Sequence, residues 1–134
     1  MTRATSTTSA QPGGRLARLG VALGPMGLGC LGLGNYPTVL SHTQAGAVVD
    51  AAWDNGLRLF DTAPLYGRGL SERRLGVALA GRDRAAMVIC TKIGRRLRPS
   101  VTGQFPPDIA ASIFVDPAPF DTVFDYSYDG AMRS

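Results

Sequence analysis

Leu57-Arg58-Leu59-Phe60-Asp61-Thr62-Ala63-Pro64-Leu65-Tyr66-Gly67 reads as a short apolar strand that ends in a carboxylate and then turns, through a proline, to deliver a tyrosine. In an α/β chain, chemistry gathers where a strand gives way to a loop, because the strand fixes one side chain and the loop carries a second beside it. A second such transition, Met87-Val88-Ile89-Cys90-Thr91-Lys92, ends in the only lysine of the chain. Asp61, Tyr66 and Lys92 are therefore the candidate catalytic residues.

Upstream of the first transition, Ser41-His42-Thr43-Gln44 has the form of a capping box, in which the Ser41 hydroxyl and the Gln44 amide satisfy each other's backbone donors. The spacing predicts a helix that places Ala45, Val48, Val49, Ala52 and Trp53 on one face, leaves Asp50 and Asp54 off it, and stops at Asn55-Gly56. Residues 57–60 form the next strand. After the Tyr66 loop a second helix is expected with Ser71 as its cap, Glu72 in the first turn, Leu75, Ala78 and Leu79 turned inward, and a stop near Gly81. A strand over 87–91 follows. This alternation of helix and strand with short links predicts parallel strands joined by right-handed crossovers.

The flanks are less periodic. The first 18 residues, opening on a Thr-, Ser-, Ala- and Gly-rich run, are expected to be disordered, leaving 19–134 as the folded part. Residues 19–49 carry no Asp, Glu, Lys or Arg and superficially imitate a leader or a membrane span. Gly20, Gly24, Gly27, Gly29, Gly32 and Gly34, with Pro25 and Pro37, would make a very poor helix there. A lipid-attachment reading of Cys30 meets Gly27 where an aliphatic residue is required. The preferred reading is a glycine-rich strand and loop where backbone approaches a ligand, with no membrane involved. After Lys92 the pattern dissolves into a long excursion, 94–119, of the kind that lies over a ligand site; it holds the cluster Arg95, Arg96 and Arg98. Residues 120–124 then read as a brief extended piece without a partner strand, and Tyr126-Ser127-Tyr128-Asp129-Gly130 as the start of another helix.

The 134 residues suffice for one small soluble domain; 45% are hydrophobic and 18% charged. The net charge of +4 reflects thirteen arginines and one lysine against ten acids. These arginines are scattered and have no interleaved aromatics, so they read as a solvated surface rather than a nucleic-acid footprint. Cys30 and Cys90 form no CxxC pattern and read as buried reduced thiols of a cytoplasmic protein. His42, the sole histidine, falls in a first helical turn and reads as a surface residue. No metal cluster, phosphate-loop motif or Ser-His-Asp set is visible. A parallel sheet of two or three strands leaves open edges. The expected context is the N-terminal part of a larger α/β domain, the alternative being a chain that pairs its edge with another polypeptide.

Residues 56–67, followed by Leu70-Ser71-Glu72-Arg73-Arg74-Leu75-Gly76 and by Thr91-Lys92-Ile93-Gly94-Arg95, resemble the N-terminal part of the aldo-keto reductase family. Carboxylate, phenol, SE..LG helix and TK strand end recur in order and at matching spacing. Phe124-Asp125-Tyr126-Ser127-Tyr128-Asp129-Gly130 further resembles the branch of aldose 1-dehydrogenases, L-fucose dehydrogenases and pyridoxal dehydrogenases. The resemblance covers about residues 26–134 and implies the first three or so strand-helix units of a (β/α)8 TIM barrel, which usually runs to about 250 residues. It implies hydride transfer between the nicotinamide of NAD(P) and a small aldehyde, alcohol or sugar lactol, with Tyr66 exchanging the proton.

A free phenol titrates near pH 10, so the adjacent ammonium of Lys92 is expected to stabilise the phenolate, with Asp61 anchoring the ammonium. Gly29, Cys30 and Leu31, together with Asp61, match the segment that touches the nicotinamide side of the cofactor. The resemblance also implies that a catalytic histidine and the later cofactor loops lie beyond Ser134, that NAD and NADP both stay open, and that the chain alone is inactive. Taken singly, Asp61 is also a fair turn cap, Tyr66 a fair loop aromatic and Lys92 a fair surface cation. Taken together, at two strand ends and one loop, they read as a proton-transfer set. The competing class is a non-catalytic remnant or interaction module.

Overall fold

The computed structural model describes residues 20–101 and 113–134, so the expected disordered segment 1–18 lies outside the described residues. Three short parallel strands form its centre: β1 (Leu28–Gly29), β2 (Leu59–Asp61) and β3 (Val88–Cys90), in the order β1-β2-β3. The register pairs Gly29 with Asp61 and Asp61 with Cys90, so the three strand tips fall on neighbouring rungs. Helix α1 (His42–Asp54) connects β1 to β2, and α2 (Leu70–Leu79) connects β2 to β3.

Helix α1 forms for the reason its sequence gives. The Ser41 hydroxyl accepts from the Gln44 backbone N–H at 3.1 Å and the Gln44 side chain accepts from the Ser41 N–H at 2.8 Å, completing the capping box. It ends at Asn55, and Gly56 turns the chain with φ +82, a conformation glycine adopts without a Cβ penalty. Ala45, Val49 and Ala52 are buried and Trp53 packs at their margin, whereas Val48 is exposed. With Cys30, Leu33, Phe60, Leu75, Leu79 and Met87 they make the core in which both helices meet the sheet. Phe60, the middle residue of β2, is fully buried, and each complete burial of a side chain this size is worth roughly 2–3 kcal/mol.

Several expectations need correction. Ser71 does not cap α2; the cap position is Gly69, in the left-handed region with φ +87, and Ser71 is the second residue of the helix, fully buried. Its hydroxyl is held from inside, donating to the Cys30 carbonyl at 2.7 Å and accepting from the Thr62 hydroxyl at 3.0 Å. The excursion after Lys92 is partly ordered as an antiparallel ribbon of β4 (Arg95–Pro99) and β5 (Phe120–Phe124), so the 120–124 strand does have a partner. A short helix, α3 (Tyr128–Met132), does start where the sequence predicts one, with Ser127 as its cap.

Nor are all the arginines solvated. Arg68 is 1% and Arg74 is 7% exposed, and the guanidinium of each donates to backbone carbonyls inside the protein. Cys90 is exposed rather than buried, since by strand alternation it shares the face of Asp61, opposite that of Phe60. Among the described residues no helix is long and apolar enough to cross a membrane.

Candidate functional site

Strand alternation builds the site. Phe60 points into the core, so Asp61, the next residue and the last of β2, points to the other face at the strand's tip. Beyond β3 the same alternation separates Thr91 from Lys92. Thr91 turns toward α2 and its hydroxyl donates to Glu72 Oε1 at 2.6 Å, while Lys92 turns back across the strand tips. Lys92 Nζ donates to Asp61 Oδ2 at 2.6 Å and to the Thr62 carbonyl at 3.0 Å.

The hydrogen bond to Asp61 holds the Lys92 ammonium above the ordinary lysine value; slight desolvation pulls the other way, and negative charge at Tyr66 and Asp61 adds to the rise. The side chains of Lys92 and Asp61 are 47% and 48% exposed, so solvent screens the pair and its share of folding stability is about 1 kcal/mol or less. Its importance is therefore positional: it fixes one cation beside a phenol. Lys92 Nζ lies 5.5 Å from the centroid of the Tyr66 ring. Among the described residues the Tyr66 hydroxyl makes no hydrogen bond, which leaves it available to a ligand.

Tyr66 is placed by its backbone. Its N–H donates to the Ala63 carbonyl at 3.0 Å, its carbonyl accepts from the Ser71 N–H at 3.1 Å, and Gly67 follows with φ +60. The loop after β1 presses directly on this turn: a Cβ at Gly34 would stand 2.6 Å from the Tyr66 carbonyl carbon and 2.6 Å from the Gly67 nitrogen. Both neighbours are backbone and cannot rotate away. Gly34→Ala is expected to displace the Tyr66 turn and cost about 2–3 kcal/mol, read as a lower denaturation midpoint. Gly32→Ala, where a Cβ would meet nothing within 4 Å, should leave the midpoint in place.

The tip of β1 lies next to Asp61. The Cys30 N–H donates to the Asp61 carbonyl at 2.8 Å; Gly29 is exposed, Leu31 half-buried and Cys30 fully buried. Burial, helped by the nearby Asp61 charge, pushes the Cys30 thiol up to about 11, so it stays protonated at neutral pH. A cleft of about 280 Å³ opens beside the Tyr66 loop and Lys92, walled by Ala63, Tyr66, Lys92, Ile93, Arg95 and Tyr126.

The geometry thus brings Asp61 and Lys92 into direct contact, sets the Tyr66 ring beside the ammonium, and puts Gly29, Cys30 and Leu31 on the neighbouring strand tip. Sequence reasoning missed Ser71 and Thr62, whose buried hydroxyls tie β1, β2 and α2 together beneath the site, and the Gly34–Gly67 contact. Only the density of glycines and the position of Ser71 inside an otherwise apolar helix face hinted at them.

Comparison with known proteins points the same way. Residues 25–114 match the profile of the Aldo/keto reductase family. An 84-residue stretch is 49% identical to D-threo-aldose 1-dehydrogenase from a Pseudomonas species, covering 63% of this chain and 26% of that protein. Pyridoxal 4-dehydrogenase from Microbacterium luteolum is 40% identical over 124 residues, covering 89% of this chain and 36% of that protein. A crystal structure of a Pseudomonas aeruginosa protein assigned to the aldo-keto reductases superposes with a TM-score of 0.56 at 34% identity, over 87% of this chain and 36% of that one. The chain spans about a third or less of the length of these relatives.

Proposed function

The chain belongs to the aldo/keto reductase family, whose fold is the (β/α)8 barrel, and we propose that it carries the proton-transfer residues of an NAD(P)-dependent oxidoreductase. Its substrate class is a small aldehyde, its alcohol, or a sugar lactol, in keeping with the aldose and pyridoxal dehydrogenases to which it is similar. The observation that carries the reading is one cation, held by Asp61 at 2.6 Å, set beside the ring of a tyrosine whose hydroxyl has no hydrogen-bond partner among the described residues.

The β1 and β2 tips fit the nicotinamide end of such a cofactor. A Cβ at Gly29 would meet nothing within 4 Å, so a flat ring can approach the exposed backbone there. Gly29, Leu31 and Asp61 would hold it, while Cys30, fully buried, has no surface to offer a ligand and would only support the tip from beneath. When bound, the cofactor supplies or accepts the hydride.

The chain's own residues handle the proton and the charge. In the reducing direction the Tyr66 hydroxyl gives its proton to the substrate oxygen as that oxygen becomes an alkoxide; in the oxidising direction it takes the proton back. The oxygen of Tyr66 gathers negative charge in the first case, and the neighbouring Lys92 ammonium stabilises it. Asp61 and the Thr62 carbonyl stop the ammonium from swinging into solvent. The ammonium does this only while protonated, a state the raised Lys92 value secures across the neutral range. The test is turnover, followed by the absorbance of reduced nicotinamide, of the protein as its gene encodes it. Hydride transfer that survives Tyr66→Phe at full rate would overturn the assignment.

A further inference from the structure

Tyr126 is the unexplained residue of the cleft. It is 73% exposed, a costly position for a large aromatic, yet its backbone is fixed on both sides. The Asp125 N–H donates to the Gly94 carbonyl at 3.0 Å, the Asp125 carboxylate accepts from Arg96 at 2.9 Å, and Ser127 caps α3. The ring lies across Gly94, only two residues beyond Lys92: a Cβ there would fall 2.1, 2.5 and 2.6 Å from three of its carbons. Gly94, with φ +91, is thus the seat that lets the ring settle at the cleft mouth. Phe124 stacks beside it, with centroids 6.3 Å apart and planes 14° from parallel, and Arg95 lies over Phe124. A flat aromatic surface is held ready in the same cleft as Tyr66 and Lys92.

We propose that Tyr126 is a specificity-determining residue that stacks on a ring-shaped substrate, and so selects cyclic substrates over open-chain aldehydes. This rests on the oxidoreductase reading of the cleft. The chemistry required of the ligand is one flat face of C–H or π character, which a pyranose lactol and an aromatic aldehyde both offer. The phenol of Tyr126 is not needed for that contact; its ring is.

The test is ligand binding by saturation-transfer NMR on the protein as encoded, with methyl β-D-galactopyranoside, benzaldehyde and propanal as probes. At least one ring probe should bind, and its dissociation constant should rise about tenfold in both Tyr126→Ala and Tyr126→Leu while changing less than about twofold in Tyr126→Phe. Which ring probe responds tells a sugar face from an aromatic one. Propanal should bind equally to all four proteins. Undiminished ring binding in the Ala and Leu variants, or binding of neither ring by the unaltered protein, would contradict the proposal. Tyr66→Phe should lose turnover yet keep ring binding, so failure of the hydride-transfer reading would show in one measurement and failure of the stacking reading in the other.

Discussion

Tyr66→Phe is expected to lower turnover by about two to four orders of magnitude with little change in folding stability, because it removes the group proposed to pass a proton to the substrate oxygen. That loss corresponds to roughly 3–5 kcal/mol of barrier. The phenyl ring keeps the packing against Phe114, 6.3 Å between centroids, and the hydroxyl it lacks bonds to no described residue, so the loop should not move. Lys92→Met should show a comparable loss by a different route. The proton remains on Tyr66, but the negative charge left behind has no cation beside it, and Asp61 loses the partner that now sits 2.6 Å away. Asp61→Asn should be the mildest of the three, since the ammonium keeps its bond to the Thr62 carbonyl. Steady-state kinetics on the three variants checks this ordering; equal losses in all three, or none in Tyr66→Phe, would contradict the roles assigned.

Arg74→Leu should be the most destabilising single change outside the apolar core. From α2, Arg74 Nη1 donates to the Leu33 carbonyl and to Asn35 Oδ1, both at 2.7 Å, and Nη2 donates to the Leu40 carbonyl at 2.5 Å. The guanidinium is buried, and burial pulls its proton affinity below the usual arginine range. The Leu33 and Leu40 carbonyls on the loop after β1 would lose their donor together, while Asn35 Oδ1 would keep only the Leu40 N–H at 3.1 Å. An unsatisfied buried polar group costs about 1–3 kcal/mol, so a total near 3–5 kcal/mol is expected, a large part of the roughly 5–15 kcal/mol that holds a typical domain together. Arg74→Lys should recover only a fraction, because one ammonium on a flexible stem cannot span acceptors that a planar fork reaches at once. Chemical denaturation gives the answer directly. A loss under about 1 kcal/mol in Arg74→Leu would mean that the loop finds other donors.

The parts of this fold that were legible in the sequence are those whose causes are local. A capping box four residues long, a helical apolar stripe ending in Asn55-Gly56, and two apolar runs ending in Asp61 and Lys92 each carry their explanation within a few residues. What stayed hidden depends on residues far along the chain. Ser71 looked like a cap because serine usually is one, but Gly69 can take φ +87 and leaves the hydroxyl free to join the Cys30 carbonyl across the core. Arg68 and Arg74 looked solvated because nothing near them in sequence shows which carbonyls they will meet. The β4–β5 ribbon eluded pattern reading because Arg95 to Pro99 is an arginine-rich strand whose partner lies across the long excursion. The candidate site was visible at its two strand tips, while the aromatic wall at Tyr126 became apparent only when the ribbon folded it over Gly94.

In protein labelled with ¹³C at lysine Cε, the Lys92 resonance, assigned by its disappearance in Lys92→Met, can be followed through a pH titration. A folded-state value raised above 10.5 means that the contact with Asp61 stabilises the fold fully below that pH and is lost as pH climbs through the raised value. The resonance should therefore titrate above 10.5 in the unaltered protein and move down in Asp61→Asn. A midpoint at or below 10.5 that ignores the substitution would mean the ammonium does not rest on Asp61 beside Tyr66, and the proton-transfer site described here would not exist.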